Sequence, residues 1–449
     1  MIRALSDPDP AIRRRVAKAL GDRGDPRAAS ALVASWLDPD STVRASVAGA
    51  LGQIGRPEGR GALESALEDP DPRVRELGAW ALGRIGDPRS SDPLIRHMTD
   101  PAPKVRSAVV GGLGRMRTPA ATWALVGALS DPDERVRRGA VIALGESEDP
   151  GVSDLLRSML GDEARTVRHA TAVVMGRRRD RPSVPLLLER AGGADPRERP
   201  SALVALGQIG DPRAEGTLVR AAENPSYPLR VCALHALKEM RAAPARAVAL
   251  AHVADPEHAV RGAAAACLGA VGTPADLPVL SRLLEDPHPW PRSAAIYAIG
   301  RLGLIEAIPR VRQELAHEAP EVRLAAIWAL GRLRDDASRA DLVCALGPDG
   351  VDPLVVAPDE EGSAAIARAA DATRRIFDTT VQALGRLRHP EDDPFVEEAL
   401  REAKARLSEE ELDRVARLPH AEAAESPHPP TLRDLFDVAL PDGSDAEGG

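Results

Sequence analysis

Asp69-Pro70-Asp71-Pro72-Arg73-Val74-Arg75, running on through Trp80 to Ala81-Leu82-Gly83-Arg84-Ile85-Gly86-Asp87-Pro88, is the stretch that decides the fold. Nearly the same letters recur along most of the chain. Arginine returns every 31 residues at Arg13, Arg44, Arg75, Arg106, Arg137 and Arg168, then at Arg199, Arg230, Arg261, Arg292 and Arg323. Eight residues after each arginine stands a glycine, from Gly21 to Gly331, interrupted only by Lys238. A repeat period of this length marks a solenoid and outranks other local signals.

The local grammar predicts helical hairpins. Asp71 is placed to cap a helix and Pro72 to open it, because a first-turn proline loses no hydrogen bond by lacking N–H. Val74, Gly78, Leu82 and Ile85 share one side at helical spacing. Gly86 stops the helix, and Asp87-Pro88 starts the next by the same device. Each unit therefore reads as an outer helix (about 88–98 here), a turn carrying Asp-Pro, and an inner helix (about 103–116). Neither helix buries its apolar face alone, so neighbours must stack. The repeated arginine lies near a helix start, where the dipole disfavours a cation. The turn aspartates, one per unit, are its expected acceptors, as a ladder between units.

Asp131-Pro132, Val136-Arg137, Ala140 and Ala143-Leu144-Gly145 show the pattern in full. It resembles the HEAT-like repeats of the phycobilin-lyase type over roughly residues 3–418. The resemblance implies an all-α, right-handed α-α superhelical solenoid of about twelve units. It says little about activity, since one scaffold hosts many functions. Bilin lyases share the repeats, but no catalytic residue carries over from them.

Residues 1–346 are expected to hold eleven units and the outer helix of the next. The array begins mid-unit, and its first inner helix (about 10–20) carries Arg13, Arg14, Arg15 and Lys18. That basic helix is a terminal cap, the continuation of an upstream segment, or a place where a partner docks. Arg177-Arg178-Arg179 reads as a solvated turn or a contact for an acidic partner. Asp195-Pro196 is two residues out of register and Pro200 follows Arg199, which predicts a displaced or kinked helix start. Residues 347–370, with Asp359-Glu360-Glu361, read as an acidic insertion loop. A final inner helix and capping helices follow over 371–418, with Ser408 and Glu411 as a capping box. Residues 419–449 form an acidic tail holding a short amphipathic segment at 431–440. There Leu432, Leu435 and Phe436 are spaced for docking on a partner or on the chain's own groove.

Composition narrows the function. Aromatics are 2% of the 449 residues while 43% are hydrophobic, which suits close stacking of helices with small side chains. Only four of the 59 basic residues are lysines, an arginine bias with much Ala, Gly and Pro that fits a high-GC bacterial genome. A net charge of −9 argues against nucleic acid as a partner, which requires a basic footprint. No signal-peptide pattern and no membrane-length apolar run is present. Cys232, Cys267 and Cys344 lack metal-ligand spacing and read as core residues in a reducing cytoplasm. Deoxyhypusine hydroxylase also resembles this fold and binds iron through several His-Glu pairs. The single pair here, His317-Glu318, cannot build such a centre. No phosphate loop or nucleophile motif is seen, so neither cofactor nor metal is expected.

The partner surface is read from the inner helices. Counted from the repeated arginine, positions −1, +3, +7 and +10 form the core, while +1, +5 and +9 face away. In HEAT-like solenoids that face lines the concave groove. The +5 column holds Trp80, His235, Tyr297 and Trp328. The +9 column holds Arg84, Arg115, Arg177, Arg301, Arg332 and Arg386. Trp, Tyr and Arg are enriched in interface hot spots. The column is thus a candidate binding face for a protein with acidic and apolar side chains, unless its aromatics simply pack on neighbouring inner helices. The expected function is an interaction scaffold or adaptor rather than an enzyme. The rival is a bilin lyase-type enzyme or subunit acting on a tetrapyrrole–protein conjugate.

Overall fold

The computed structural model describes residues 1–337 except 148, 334 and 336. Arg386, Leu432, Leu435 and Phe436, Cys344, the insertion 347–370, the segment 371–418 and the tail lie outside the described residues. The described elements are all helical. Contacts divide the chain into two compact units, residues 1–205 and residues 206 onward.

In the first unit the inner helices are α1 (Pro10–Arg23), α2 (Ser41–Ile54), α3 (Pro72–Ile85), α4 (Pro103–Met116), α5 (Glu134–Leu144), α6 (Arg165–Arg177) and the start of α7 (Arg199–Ile209). In the second they are α8 (Tyr227–Met240), α9 (His258–Val271), α10 (Pro289–Leu302) and α11 (Pro320–Leu333). The expected capping holds: Asp71 accepts from the Arg73 N–H at 2.9 Å with Pro72 in the first turn, and Gly86 ends α3 at φ 70°. Three equivalent stops use arginine in the left-handed region, Arg117, Arg179 and Arg241. The outer layer is slighter than the sequence predicts. Pro88–Ser90 forms a 3-10 turn and only Ser91–Arg96 is α-helical. α7 begins at its arginine, three residues later than α3 does, as the shifted Asp195-Pro196 leads one to expect.

The glycine at +8 is a packing residue. A Cβ on Gly83 would stand 2.6 Å from the Cα of Gly112, and one on Gly207 would stand 2.5 Å from the Cα of Ala236. At these positions, and likewise at Gly21, Gly52, Gly269 and Gly300, the inner helix lies against the backbone of its neighbour, closer than a side chain allows. Because inner helices flank one another on both sides, positions +4, +6 and +8 are buried along with the expected −1, +3 and +7: in α3, Ala79, Ala81 and Gly83 join Val74, Gly78 and Leu82.

The arginine ladder is present. Arg106 Nε and Nη2 each donate to Asp131, 25 residues ahead, at 2.8 Å, while Nη1 donates to the Asp100 carbonyl of its own turn at 2.8 Å. The same fork joins Arg13 to Asp38, Arg44 to Asp69, Arg75 to Asp100 and Arg137 to Asp162. In the second unit it joins Arg261 to Asp286, and Arg230 reaches Asp255. Where the register slips, the partners change. Arg168 pairs with Glu198, and Arg199 turns back to the Gly193 carbonyl. Carboxylate, guanidinium and turn carbonyls thus satisfy one another at a site where a lone charge would be costly.

Candidate protein-binding surface

In the first unit, α1 to α5 present the +5 column as Lys18, Gly49, Trp80, Gly111 and Ile142. Trp80 is 37% exposed and Ile142 50% exposed. Trp80 leans back on α2, its ring edge covering the helix at Gly52. To either side the column holds only hydrogen: a Cβ on Gly49 or on Gly111 would meet nothing within 4 Å. The result is an aromatic ridge between two hollows, in a groove of about 630 Å³. Its floor is made of small residues, among them Ala45, Ser46, Ser107 and Ala108. Lys18, Lys104 and Arg115 stand at its rim. Arg84, one turn beyond Trp80, lies over the indole at 5.8 Å from the ring centroid, within cation–π range. Arg84, Arg115, Lys18 and Lys104 are exposed and have no ion-pair partner among the described residues. Arg135, also at the rim, is neutralised by Asp133 at 2.7 Å.

The second unit brings Tyr297 and Trp328 together, ring centroids 5.2 Å apart and inclined by 65°. Arg332 lies 5.7 Å from the Trp328 ring centroid. Arg301 and Arg332 are both exposed. Trp328, however, does not face solvent. It is 4% exposed, its ring edge lies on Gly300 of the preceding helix, and Tyr297 occupies the space that is empty beside Trp80. Burial also holds the Tyr297 hydroxyl well above the usual tyrosine range. Packing between neighbours describes Trp328, whereas Trp80 stands exposed on its helix.

His235 is corrected in the same way. It is 7% exposed, and burial, with Lys238 beside it, lowers its pKa to about 3. A neutral imidazole in the core offers a partner nothing. Its place follows from the narrowness of the exposed strip on α8, where Val231 to Leu237 are all buried. Arg177 is exposed at the end of α6, but it does not line the Trp80 groove. Sequence reasoning passed over Lys104 and the two hollows. Their signal is glycine at +5 in the helices on either side of the tryptophan.

Among the described residues, no three His, Cys, Asp or Glu side chains gather as metal ligands, and no helix is long and apolar enough to cross a membrane. Burial pushes the thiols of Cys232 and Cys267 up to about 12, leaving them unreactive core residues.

Stacked helical hairpins, with inner helices packed side by side, define the class: an α-α solenoid. Seven overlapping segments, 1–51, 35–102, 92–176, 159–230, 184–259, 216–300 and 280–357, match the family described as HEAT repeats. The chain belongs to the HEAT-repeat family. Among solved structures it is similar to yeast importin-β (Kap95p), at 15% identity over 89% of this chain and 74% of that one, with a TM-score of 0.53. It is also similar to the CpcE–CpcF phycocyanin lyase of Nostoc sp. PCC7120, at 23% identity over 55% and 90% of the chains, with a TM-score of 0.31. Human deoxyhypusine hydroxylase matches at 23% identity over 54% and 94%, with a TM-score of 0.25. No curated protein matches the sequence.

Proposed function

We propose that this chain is a protein-interaction scaffold that binds its partner on the exposed strip of its inner helices. One observation carries the reading. In a chain of net charge −9, the face around Trp80 gathers four exposed cations without ion-pair partners among the described residues, beside an exposed indole. The repeated arginines of the ladder, by contrast, are held by carboxylates, as Arg75 is by Asp100 and Arg106 by Asp131. An apolar anchor ringed by free cations suits a surface with carboxylates and apolar side chains. In the second unit, Tyr297 with the exposed Arg301 and Arg332 is a separate candidate patch, supported by the buried Trp328 beside it.

The test is selective retention. Immobilised full-length chain is exposed to extract of the source organism, and retained proteins are quantified by mass spectrometry. The double variant Arg84→Glu, Arg115→Glu should lose species that the wild type and Arg27→Glu both keep. Arg27 serves as control because it lies in the outer layer, 88% exposed and paired with Asp25. An identical retained set in all three proteins would defeat the reading.

A further inference from the structure

The hollows beside Trp80 are shaped for a particular kind of ligand. Gly49 and Gly111 occupy the same position two helices apart, with the indole standing between them. Neighbouring helix axes lie roughly 8–10 Å apart, so the hollows are separated by roughly 16–20 Å. An extended chain advances about 3.3 Å per residue, and side chains six residues apart point to the same side. Such a segment, laid across α2, α3 and α4, would set one apolar side chain in each hollow and pass over the indole between them. Beyond the second hollow it would reach Ile142, 50% exposed.

The charges flank this path on both sides. Arg84 and Arg115 project from the C-terminal half of α3 and α4, Lys104 from the first turn of α4, and Lys18 stands at the α1 end. The acid at the rim is Glu76, so the balance is positive. A helix is disfavoured as the ligand, because the indole of Trp80 stands as a ridge between the two hollows and divides the groove floor along its length. Single-stranded nucleic acid is disfavoured because the groove offers one aromatic face and then Ala, Gly and Ser, where successive bases need successive stacking partners.

We infer that the groove from Lys18 to Ile142 binds an extended acidic segment of a partner protein, with two apolar side chains about six residues apart seated in the hollows at Gly49 and Gly111. This inference rests on the scaffold reading above and specifies the chemistry of its ligand at one place.

Fluorescence polarisation with synthetic probes tests it on the full-length chain. The first probe is a labelled 12-residue glutamate-rich peptide with leucines six residues apart. A second has the same composition with the leucines adjacent, a third replaces every Glu with Lys, and a fourth is an oligothymidylate. The first probe should bind at least tenfold more tightly than the second, weaken with added salt, and quench tryptophan fluorescence. Trp80→Ala should weaken it tenfold or more. Gly111→Leu should do the same by filling a hollow, and it is the safer variant because its Cβ meets nothing within 4 Å. Binding of the first probe that survives both substitutions would overturn the inference. So would equal binding of both leucine spacings, tighter binding of the lysine peptide or the oligothymidylate, or no binding of any acidic probe. Should the probes fail while Arg84→Glu, Arg115→Glu still releases retained proteins, the peptide groove falls and the scaffold stands. Should neither respond, both fall together.

Discussion

Removing one rung of the ladder at Arg106→Ala should destabilise the first unit by about 3 kcal/mol. Arg106 makes two bonds to Asp131 and one to the Asp100 carbonyl, each 2.8 Å, with side chains 11% and 10% exposed. Breaking a buried ion pair from one side costs about 3–5 kcal/mol, since the partner charge stays behind. Asp131 would keep its bond from the Asp133 N–H at 2.8 Å, and its residual exposure admits water, which places the loss at the lower end. Arg106→Lys keeps the charge but not the fork and should lose about half as much. Urea unfolding followed by circular dichroism gives the total. Hydrogen exchange at the Asp133 amide gives the local effect, which matters in an array that need not unfold in one step. A double-mutant cycle with Asp131→Asn should show coupling of at least about 1 kcal/mol. A loss under about 0.5 kcal/mol for Arg106→Ala, with no coupling, would refute the ladder as a source of stability, because surface substitutions without special contacts fall in that range.

Gly83→Ala forces a methyl group against the Gly112 backbone and should cost about 1–3 kcal/mol. Gly111→Ala, which points into open space, should instead stabilise by up to about 1 kcal/mol; matching urea midpoints for the two would contradict the close-approach reading. Trp328→Ala should cost about 3–5 kcal/mol as a core truncation, and Trp80→Ala clearly less, with the order of the two melting temperatures as the check. His235 has its folded pKa lowered, so the unfolded chain takes up its proton first. Stability should be complete above pH 6.5 and fall, by up to about 1.4 kcal/mol per pH unit, as pH drops towards 3. His235→Gln should flatten that slope in urea titrations between pH 6.5 and 4.5, and an unchanged slope would mean that the imidazole is not held neutral.

The period, the capping residues and the ladder were legible because each is a local pattern multiplied by repetition. Asp71 and Pro72 have one good use, and the arginine that recurs eleven times beside the same turn removes the ambiguity. The candidate face was legible only as a column. Whether a +5 residue is exposed depends on its neighbours in the column, and those lie 31 residues away on other helices. Trp80 and Trp328 have the same helical address and near-identical local sequence, Ala-Trp-Ala-Leu-Gly-Arg and Ile-Trp-Ala-Leu-Gly-Arg. One is a ridge because glycine precedes it in the column, and the other is covered because tyrosine does. A helical wheel drawn for one helix also overstates solvent access when two like helices press on its flanks, which is why His235 was placed on the wrong side of the boundary.

The ladder also has a direction in time. Each arginine is made before its aspartate, by 25 residues in the regular units. As the chain leaves the ribosome, an inner helix can coil and cap itself at once. Its cation finds a permanent counter-charge only when the next outer helix and turn have emerged. The newest unit in a growing chain is therefore always the one with the unanswered guanidinium, held meanwhile by its own turn carbonyls. Maturation would then advance as a front trailing synthesis by about one repeat, and a ribosome pausing within a turn would leave a single rung open rather than an unfolded array.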